Sequence, residues 1–349
     1  MDPPMIAPPR DRLRDWLAAH LPDAADLEIS EPRAPSSTAG FSHQTLLLDA
    51  SWKEAGREVG RGLVVRMLTD EHRLFPDADL RREYDAMEHL SRTGQVPVPR
   101  CYGFEDDARI LGQRFYVIER VDGLIPPDRP PYAIEGWLLD APADQQRSVW
   151  WSGIEALAAV HTVPLEVLGL GWKAETTHER VQALDAYRAW VLEDRPHDDF
   201  DTALAWLRAN QPPEAQPAFC WGDARLANVV CREHRVAALL DWEMASVGDP
   251  EVDLAWWIYF DRLFSDGLGM PRLPGFPSYE QTAVRYTEHS GRETQHLGFW
   301  QVYAGARFAL ILIRLCQLLA PTGELPLGPD FERDNFSITF LRRVLEEHA

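Results

Sequence analysis

Basic residues are scarce in this chain relative to acidic ones. Its 349 residues include 35 lysines and arginines against 55 aspartates and glutamates, which gives a formal net charge of −20. A surface this acidic repels the phosphates of nucleic acids and the headgroups of anionic lipids, so we expect neither a nucleic acid nor a membrane as a partner. The charge is compatible with a cationic substrate, although acidity more often serves solubility.

Cysteine is also scarce, with four residues in the whole chain: Cys101, Cys220, Cys231 and Cys316. None of them forms a Cys-x-x-Cys pair, so they are interpreted as small buried side chains and not as a disulfide framework. The first residues lack the basic start and apolar core of a secretory signal peptide. We therefore expect a cytoplasmic protein.

Long uninterrupted apolar runs are missing as well. The most apolar stretch, residues 299–319, contains four polar side chains: Gln301, Arg307, Arg314 and Gln317. They predict a buried helix with a polar stripe and not a membrane span. Two catalytic motifs are also absent: there is no GxxxxGK[ST] phosphate loop and no GxSxG nucleophile elbow.

The first 120 residues have the pattern of a small β-rich part. Amphipathic spacing predicts a helix over residues 11–21 and another over residues 78–93, which Gly94 ends. Short apolar runs between turn residues predict five strands: 27–30, 45–50, 62–68, 96–105 and 113–123. The first three strands, separated by turns, are typical of an antiparallel meander.

From about residue 121 the pattern is helical apart from one hairpin. Apolar periodicity predicts seven helices: 145–162, 178–193, 201–210, 250–264, 279–290, 295–319 and 330–348. The sequence therefore predicts an α+β protein with an N-terminal part, 1–120, and a helical C-terminal part, 121–349. The Gly- and Pro-rich residues 119–131 suit a hinge between them.

Residues 219–247 are the most informative segment. Two short apolar runs around a polar turn predict a β-hairpin, whose open ends are Asn228 and Asp241. Those two side chains are expected to lie side by side, with Asp223 one loop away at the same edge. Singly, each has the pattern of a turn or helix cap. Together, two carboxylates and an amide oxygen suit a hard cation such as Mg²⁺.

The segments GDARLAN (222–228), LLDWE (239–243) and DLAWW (253–257) resemble the aminoglycoside phosphotransferase family, which has a protein-kinase-like fold. The similar branch is the one also found fused to acyl-CoA dehydrogenases, and the resemblance extends over residues 27–345. It implies a bilobal α+β fold with a small antiparallel β N-lobe and a larger, mainly helical C-lobe. It also implies an enzyme that transfers the γ-phosphate of ATP or GTP to a hydroxyl of a small molecule.

The resemblance assigns roles to residues in both lobes. Asp223 would accept the proton of the acceptor hydroxyl or orient it, while Asn228 and Asp241 would hold Mg²⁺. Arg66 stands where the family has a lysine that contacts the α- and β-phosphates. Its helical partner would be Glu83, with Glu88 as a rival.

The nucleotide would have two further contacts. A loop containing Ser37, Gly40 and Ser42 would fold over the phosphates, although such a loop is also typical of a plain hairpin turn. The backbone between Glu119 and Val121, in the linker between the lobes, would bind the edge of the adenine.

Two departures from the family pattern leave alternatives open. Trp221 replaces a histidine that stands two residues before the catalytic aspartate, and Arg66 replaces the lysine. A tryptophan N–H can donate to a backbone carbonyl while its ring packs in the core.

The alternative from another class is a nucleotide-binding scaffold with weak or no catalysis. The acceptor could be an antibiotic or an endogenous metabolite such as a hydroxyacyl thioester, and the sequence also allows a homodimer. His161 is expected to be a packed histidine at a helix end.

Overall fold

The computed structural model describes residues 9–35, 43–68, 73–320 and 330–348. Its N-terminal part contains an antiparallel sheet of five strands in the order β1-β2-β3-β5-β4. The strands are β1 (Ala25–Ile29), β2 (His43–Glu54), β3 (Arg57–Leu68), β4 (Cys101–Glu105) and β5 (Phe115–Glu119). All five predicted strands are confirmed, and the first three form the predicted meander.

Strands β2 and β3 are longer than predicted because the turn between them is only two residues long. Ala55 and Gly56 both have positive φ angles, 49° and 78°, so they form a tight hairpin turn and leave Glu54 paired with Arg57. The sequence pattern had assigned a longer polar turn to this segment, and that assignment was wrong.

Two helices lie beside the sheet: α1 (Pro9–His20) and α2 (Leu80–Thr93). The side chain of Asp79 caps α2 by accepting a hydrogen bond from the Arg81 backbone N–H at 3.0 Å. Gly94 ends the helix in the left-handed conformation, with a φ of 65°, as the sequence predicts.

The residues of β3 alternate between the two faces of the sheet. Leu63, Val65 and Met67 are buried in the cluster that includes the apolar side of α1. Arg66 lies on the opposite face, where it approaches α2 and pairs in register with Tyr116 of β5. The period of two therefore directs Arg66 toward the cleft between the lobes.

The C-terminal part is mainly helical. Its helices within the described residues are α3 (Trp137–Asp140), α4 (Ala143–Thr162), α5 (Leu165–Leu168), α6 (Thr177–Leu192), α7 (Asp198–Ala209), α8 (Glu251–Phe264), α9 (Tyr279–Ser290), α10 (Leu297–Leu319) and α11 (Phe336–His348). All seven predicted helices are present. The last begins at Phe336 and not at residue 330, because the Asn335 side chain accepts the first free N–H groups, those of Ser337 and Ile338.

By length and composition alone, α10 is the one helix of the described residues that is apolar enough to cross a membrane. In the fold it packs against α8 and α11, with Trp300, Tyr303 and Ile313 buried. This is the arrangement of a core helix, and it agrees with the prediction of a buried helix with a polar stripe.

Two short strand pairs lie between α7 and α8. The strands are β6 (Ala218–Cys220), β7 (Val229–Arg232), β8 (Arg235–Leu239) and β9 (Ser246–Gly248). Strands β7 and β8 form the predicted hairpin around a two-residue turn, Glu233 and His234, in which both residues have positive φ. The Leu240 N–H donates to the Asn228 carbonyl at 2.9 Å, so the two open ends of the hairpin lie together as predicted.

Candidate active site

Asp223 lies in the loop between β6 and β7, and its buried carboxylate is held by three donors. The Trp256 indole N–H donates to Oδ1 at 2.8 Å, and the Asn228 amide donates to Oδ2 at 2.6 Å. Arg225 Nε lies 3.0 Å from both oxygens. These contacts fix the orientation of the carboxylate before any substrate binds, which is what a catalytic base requires.

The amide of Asn228 is oriented by the same contacts. Its Nδ2 group donates to the backbone carbonyl of Asp223 at 3.0 Å as well as to the carboxylate. Both amide hydrogens are thereby used, and Oδ1 accepts no hydrogen bond from the described residues. An amide oxygen that accepts no hydrogen bond is a ligand that a hard cation would bind.

Asp241 follows β8 with a φ of 62°, in the left-handed region that aspartate tolerates better than most residues. Its side chain is partly exposed, at 23%. Oxygen donors from Asn228 and Asp241 lie at the two joined ends of the hairpin, and they make a pair that fits Mg²⁺ and contains no thiol or imidazole.

Arg66 bridges the two lobes. Its Nη2 lies 3.5 Å from Glu83 Oε1 on α2 and 3.6 Å from Asp241 Oδ1. The Tyr116 hydroxyl also donates to Glu83, at 2.8 Å. Burial acts to lower the pKa of the Arg66 guanidinium, but Glu83 and its other acidic neighbours raise that pKa above its usual value, so the group stays charged.

Glu88, the rival partner in the sequence, is not near Arg66. It forms an i, i+4 ion pair with Arg92 along α2, with 2.8 Å between Oε1 and Nη2. Glu83 is therefore the residue that the fold brings to Arg66.

Among the three predicted linker positions, Glu119 to Val121, one presents an available amide. The Glu119 N–H donates to the Arg100 carbonyl and the Arg120 N–H donates to the Gly62 carbonyl, both at 2.8 Å. The Val121 N–H has no hydrogen-bond partner within the described residues. Of the predicted backbone N–H donors, the amide of Val121 is the one that could donate a hydrogen bond to a nucleotide base. Ser37, Gly40 and Ser42 lie outside the described residues.

Trp221 is fully buried and connects the loop of Asp223 to the loop of Asp241. Its indole N–H donates to the carbonyl of Leu240 at 2.8 Å, while its ring packs 5.7 Å from the ring of Trp242. This confirms that the tryptophan N–H donates to a backbone carbonyl. That carbonyl belongs to the residue directly before Asp241, so the indole links the proposed base loop to the proposed metal loop.

Asp253, in the first turn of α8, holds the backbone of the Asp223 loop. Its fully buried carboxylate accepts the N–H groups of Trp221, at 2.6 Å, and Gly222, at 2.9 Å. His161 Nε2 lies 3.0 Å from the same carboxylate, and Nδ1 lies 2.7 Å from the Tyr286 hydroxyl. Because a carboxylate only accepts, Nε2 must donate, and Nδ1 accepts from Tyr286.

No sequence pattern predicted this role of Asp253, and His161 was expected only to be a packed histidine at a helix end. His161 is indeed buried in the last turn of α4. One signal could have identified Asp253: every residue of α8 is buried, and a carboxylate inside such a helix needs hydrogen-bond donors from elsewhere in the fold.

Gly222 must remain a glycine. Its φ is 91°, and a Cβ atom at this position would lie 2.1 Å from the Met244 carbonyl oxygen. The close approach lets the loop of Asp223 pass against the loop that follows Asp241.

Arg225 is a second residue that the sequence analysis missed. Besides its contact with Asp223, its Nη1 lies 2.8 Å from Asp128 Oδ2, and its guanidinium lies over the Phe260 ring at 4.9 Å. Burial acts to lower its pKa, but the two carboxylates raise it above its usual value. Its position two residues after Asp223, in the same loop, was the available signal.

One buried cluster of side chains that could ligate a metal is not a metal site. Atoms of His161, Cys220 and Asp253 lie within 4.8 Å of one another. Both histidine nitrogens and both aspartate oxygens already have hydrogen-bond partners. Burial also raises the pKa of the Cys220 thiol well above its usual value, so the thiolate that a metal would need is disfavoured.

Replacing Trp221 with phenylalanine is expected to reduce the free energy of unfolding by about 1–2 kcal/mol, because the Leu240 carbonyl loses its buried donor. Urea denaturation would measure the loss. We also expect weaker Mg²⁺-dependent nucleotide binding, since the link to the Asp241 loop is lost. Trp300→Phe is the matched control, because this buried indole donates to Asp249 at 3.2 Å. An equal loss of nucleotide affinity in the control would contradict the linking role.

Known proteins similar to this chain identify its family and its fold. The profile of the phosphotransferase enzyme family matches residues 54–285, about two thirds of the chain. Acyl-CoA dehydrogenase family member 11 of Gallus gallus is 30% identical over 237 residues, which is 63% of this chain and 29% of that protein. The chain thus matches less than a third of the length of that relative.

Solved structures share the fold over nearly the whole chain. A putative aminoglycoside phosphotransferase from Ralstonia eutropha superposes with a TM-score of 0.69 at 20% identity, over 95% of this chain and 98% of that one. An aminoglycoside 2'-phosphotransferase solved as a GDP complex superposes with a TM-score of 0.58 at 13% identity, over 97% and 98%. The bilobal α+β fold is that of the kinase-like phosphotransferases, and the chain belongs to the phosphotransferase enzyme family.

Proposed function

We propose that the protein is a Mg²⁺-dependent phosphotransferase that moves the γ-phosphate of ATP or GTP to a hydroxyl of a small molecule. The observation that carries this proposal is the oriented carboxylate of Asp223, which accepts from the amide of Asn228 at the hairpin end beside Asp241. Asp223 is thereby available as the base, while Asn228 and Asp241 are available to bind a cation. Family membership supports the same chemistry.

In the proposed reaction, the acceptor oxygen forms a bond to the γ-phosphorus as the bond from that phosphorus to the bridging oxygen breaks. The nucleoside diphosphate leaves, and Asp223 orients the acceptor hydroxyl and receives its proton. Asn228 and Asp241 would hold Mg²⁺, which when bound neutralises charge on the phosphate oxygens. The guanidinium of Arg225, at 3.0 Å from Asp223, is placed to offset negative charge beside the transferred group.

Arg66 and Val121 are proposed to bind the nucleotide from the N-lobe side. The guanidinium is held toward the cleft by Glu83, and it can contact phosphate oxygens through its planar fork. The Val121 N–H can donate to the base. That a phosphotransferase of the same fold was solved with GDP supports a nucleotide in this cleft. The choice between ATP and GTP is left to the experiment below.

A thermal-shift titration with ATP and GTP, each with Mg²⁺ and with EDTA, tests the nucleotide site. A nucleotide at 100 times its Kd should stabilise the protein by about 2.7 kcal/mol. We expect this shift with Mg²⁺ for at least one nucleotide and a much smaller shift with EDTA. If neither nucleotide shifts the melting temperature at saturating concentration, the proposal fails.

Replacing Arg66 with methionine is expected to weaken nucleotide binding about 10-fold or more, because a charge-assisted phosphate contact is lost. Arg66→Lys should retain part of the affinity as a point charge. Calorimetric titration would measure both. Arg92→Met removes an exposed arginine of the neighbouring helix and serves as the control. Wild-type affinity in Arg66→Met would exclude the phosphate contact.

A further inference from the structure

Arg307, in the middle of α10, is a charged side chain that the proposed reaction does not use. It is partly buried, and within the described residues its guanidinium makes no hydrogen bond and no ion pair. Its contact is with the ring of Trp256, at 5.8 Å. Trp256 is the residue whose indole N–H donates to Asp223 at 2.8 Å. One indole therefore separates an unpaired positive charge from the proposed base.

A second arginine extends the positive charge along the same helix. Arg314 lies over the Trp190 ring at 4.5 Å, and its hydrogen bonds go to the Arg73 carbonyl and to Gln317, which are uncharged acceptors. Burial raises the pKa of the Tyr187 hydroxyl on α6, while the positive charges of Arg307 and Arg314 both act to lower it. Both arginines thus lie in the region around the Tyr187 hydroxyl.

The acidic neighbour of that region is Glu243, which follows the Asp241 loop. Its charge also reaches Tyr187, where it acts to raise the pKa, and it reaches Arg66 as well. Of the charged groups that act on Tyr187, two are arginines and one is a carboxylate, so positive charge is in excess around that hydroxyl. The overall net charge of −20 is compatible with a cationic substrate, whereas the charge around Tyr187 is positive.

Two other arginines of the C-lobe, Arg262 and Arg272, do have acidic partners. Arg262 lies 2.6 Å from Glu347, and Arg272 is bonded to Asp261. Burial removes part of the hydration of the Arg307 guanidinium, and the free-energy cost of that loss is one that an ion pair would offset. A bound anion would provide that pairing at Arg307.

From this juxtaposition we propose that the acceptor is a hydroxylated anion, whose carboxylate or phosphate binds Arg307 while its hydroxyl lies at Asp223. This inference rests on the proposed phosphotransferase function and adds the class of acceptor. Arg314 would strengthen the positive field, and the Trp256 ring would lie along the acceptor between its two polar ends. The hydroxyl and the anionic group should then be separated by about the width of an indole ring, which favours acceptors longer than the smallest hydroxy acids.

The test measures nucleotide consumption with matched acceptors at saturating Mg²⁺ and nucleotide. The panel contains ω-hydroxy acids of increasing chain length with their amides, glycerol 3-phosphate with glycerol, and the cations choline and kanamycin. We expect a hydroxy acid or the phosphate to be used at least about 10-fold more efficiently, in kcat/KM, than its uncharged counterpart. The acid and phosphate arms distinguish which anion is bound.

Variants assign the preference to one residue. Arg307→Gln should raise the KM of the preferred anion about 10-fold or more and bring the acid and its amide to within about twofold, with nucleotide affinity unchanged. Arg307→Lys should restore part of the preference. Arg147→Gln removes an exposed arginine from the first turn of α4 and controls for net charge.

The outcomes separate this inference from the proposed function. Failure of the wild type to bind or consume any nucleotide would overturn the phosphotransferase proposal itself. If nucleotide is consumed but every anion acts like its uncharged counterpart, or if choline or kanamycin is preferred, only the anionic acceptor is excluded. An anion preference that persists in Arg307→Gln would exclude Arg307 as its binding residue.

Discussion

Replacing Asp223 with asparagine is expected to lower kcat by about 10²- to 10⁴-fold, the usual contribution of a general base. The amide oxygen can still accept the Trp256 N–H, although the amide nitrogen cannot accept from Asn228 and Arg225 as Oδ2 does. The amide cannot receive the proton of the acceptor hydroxyl. Because the nucleotide is proposed to be bound by other residues, its affinity should change by no more than about threefold. Steady-state nucleotide consumption and calorimetric titration would measure the two quantities.

The control for this variant is Asp85→Asn on α2, where the carboxylate forms an exposed ion pair with Arg81 at 2.8 Å. It should leave kcat unchanged. Melting temperatures of both variants show whether the fold is intact. A folded Asp223→Asn protein whose kcat falls less than about tenfold would contradict the role of Asp223 as the base.

Replacing Asp253 with alanine is expected to have the largest effect on stability, a loss of about 3–5 kcal/mol in the free energy of unfolding. The change leaves the buried N–H groups of Trp221 and Gly222 without an acceptor, and His161 Nε2 as well. Each such group carries a desolvation cost. Because two of the donors belong to the loop of Asp223, kcat should also fall at temperatures where the variant remains folded. Denaturant unfolding and steady-state kinetics would measure both losses.

Glu251→Ala provides a matched control on the same helix. Glu251 is also buried, and it accepts two backbone N–H groups, from Gln295 at 2.9 Å and His296 at 2.8 Å. Those donors begin α10 and do not belong to the loop of Asp223. We expect Glu251→Ala to lose stability without a comparable loss of kcat. Equal losses of kcat in the two variants would show that Asp253 acts only through global stability.

The elements that the sequence predicted well are those whose pattern is local. The hairpin of β7 and β8 has a polar turn between two apolar runs, and this pattern alone places Asn228 beside Asp241. Helix periodicity could also have decided between the two possible partners of Arg66. Glu83 lies on the buried stripe of α2 with Met87 and Leu90, whereas Glu88 lies off that stripe.

The parts that escaped prediction depend on contacts between distant segments. His161 and Asp253 are 92 residues apart, and Arg225 meets Asp128 from the segment after the linker. No periodicity within one segment reports such a pairing. The charge at the proposed acceptor site also escaped prediction. Composition indicated an acidic protein, and only the fold brings Arg307 next to Trp256 without a carboxylate partner among the described residues.

The most direct test of the central claim is to follow the γ-phosphate of labelled ATP and GTP in a single turnover with excess enzyme and the panel of hydroxylated acceptors. We expect the label to leave the nucleotide in the presence of Mg²⁺, to remain on it with EDTA, and to remain on it with Mg²⁺ in Asp223→Asn. This result would support a metal-dependent phosphotransferase whose base is Asp223. A nucleotide that binds the wild type at saturation but keeps its label with Mg²⁺, over times long enough for many turnovers of an ordinary kinase, would contradict the account and leave a nucleotide-binding scaffold.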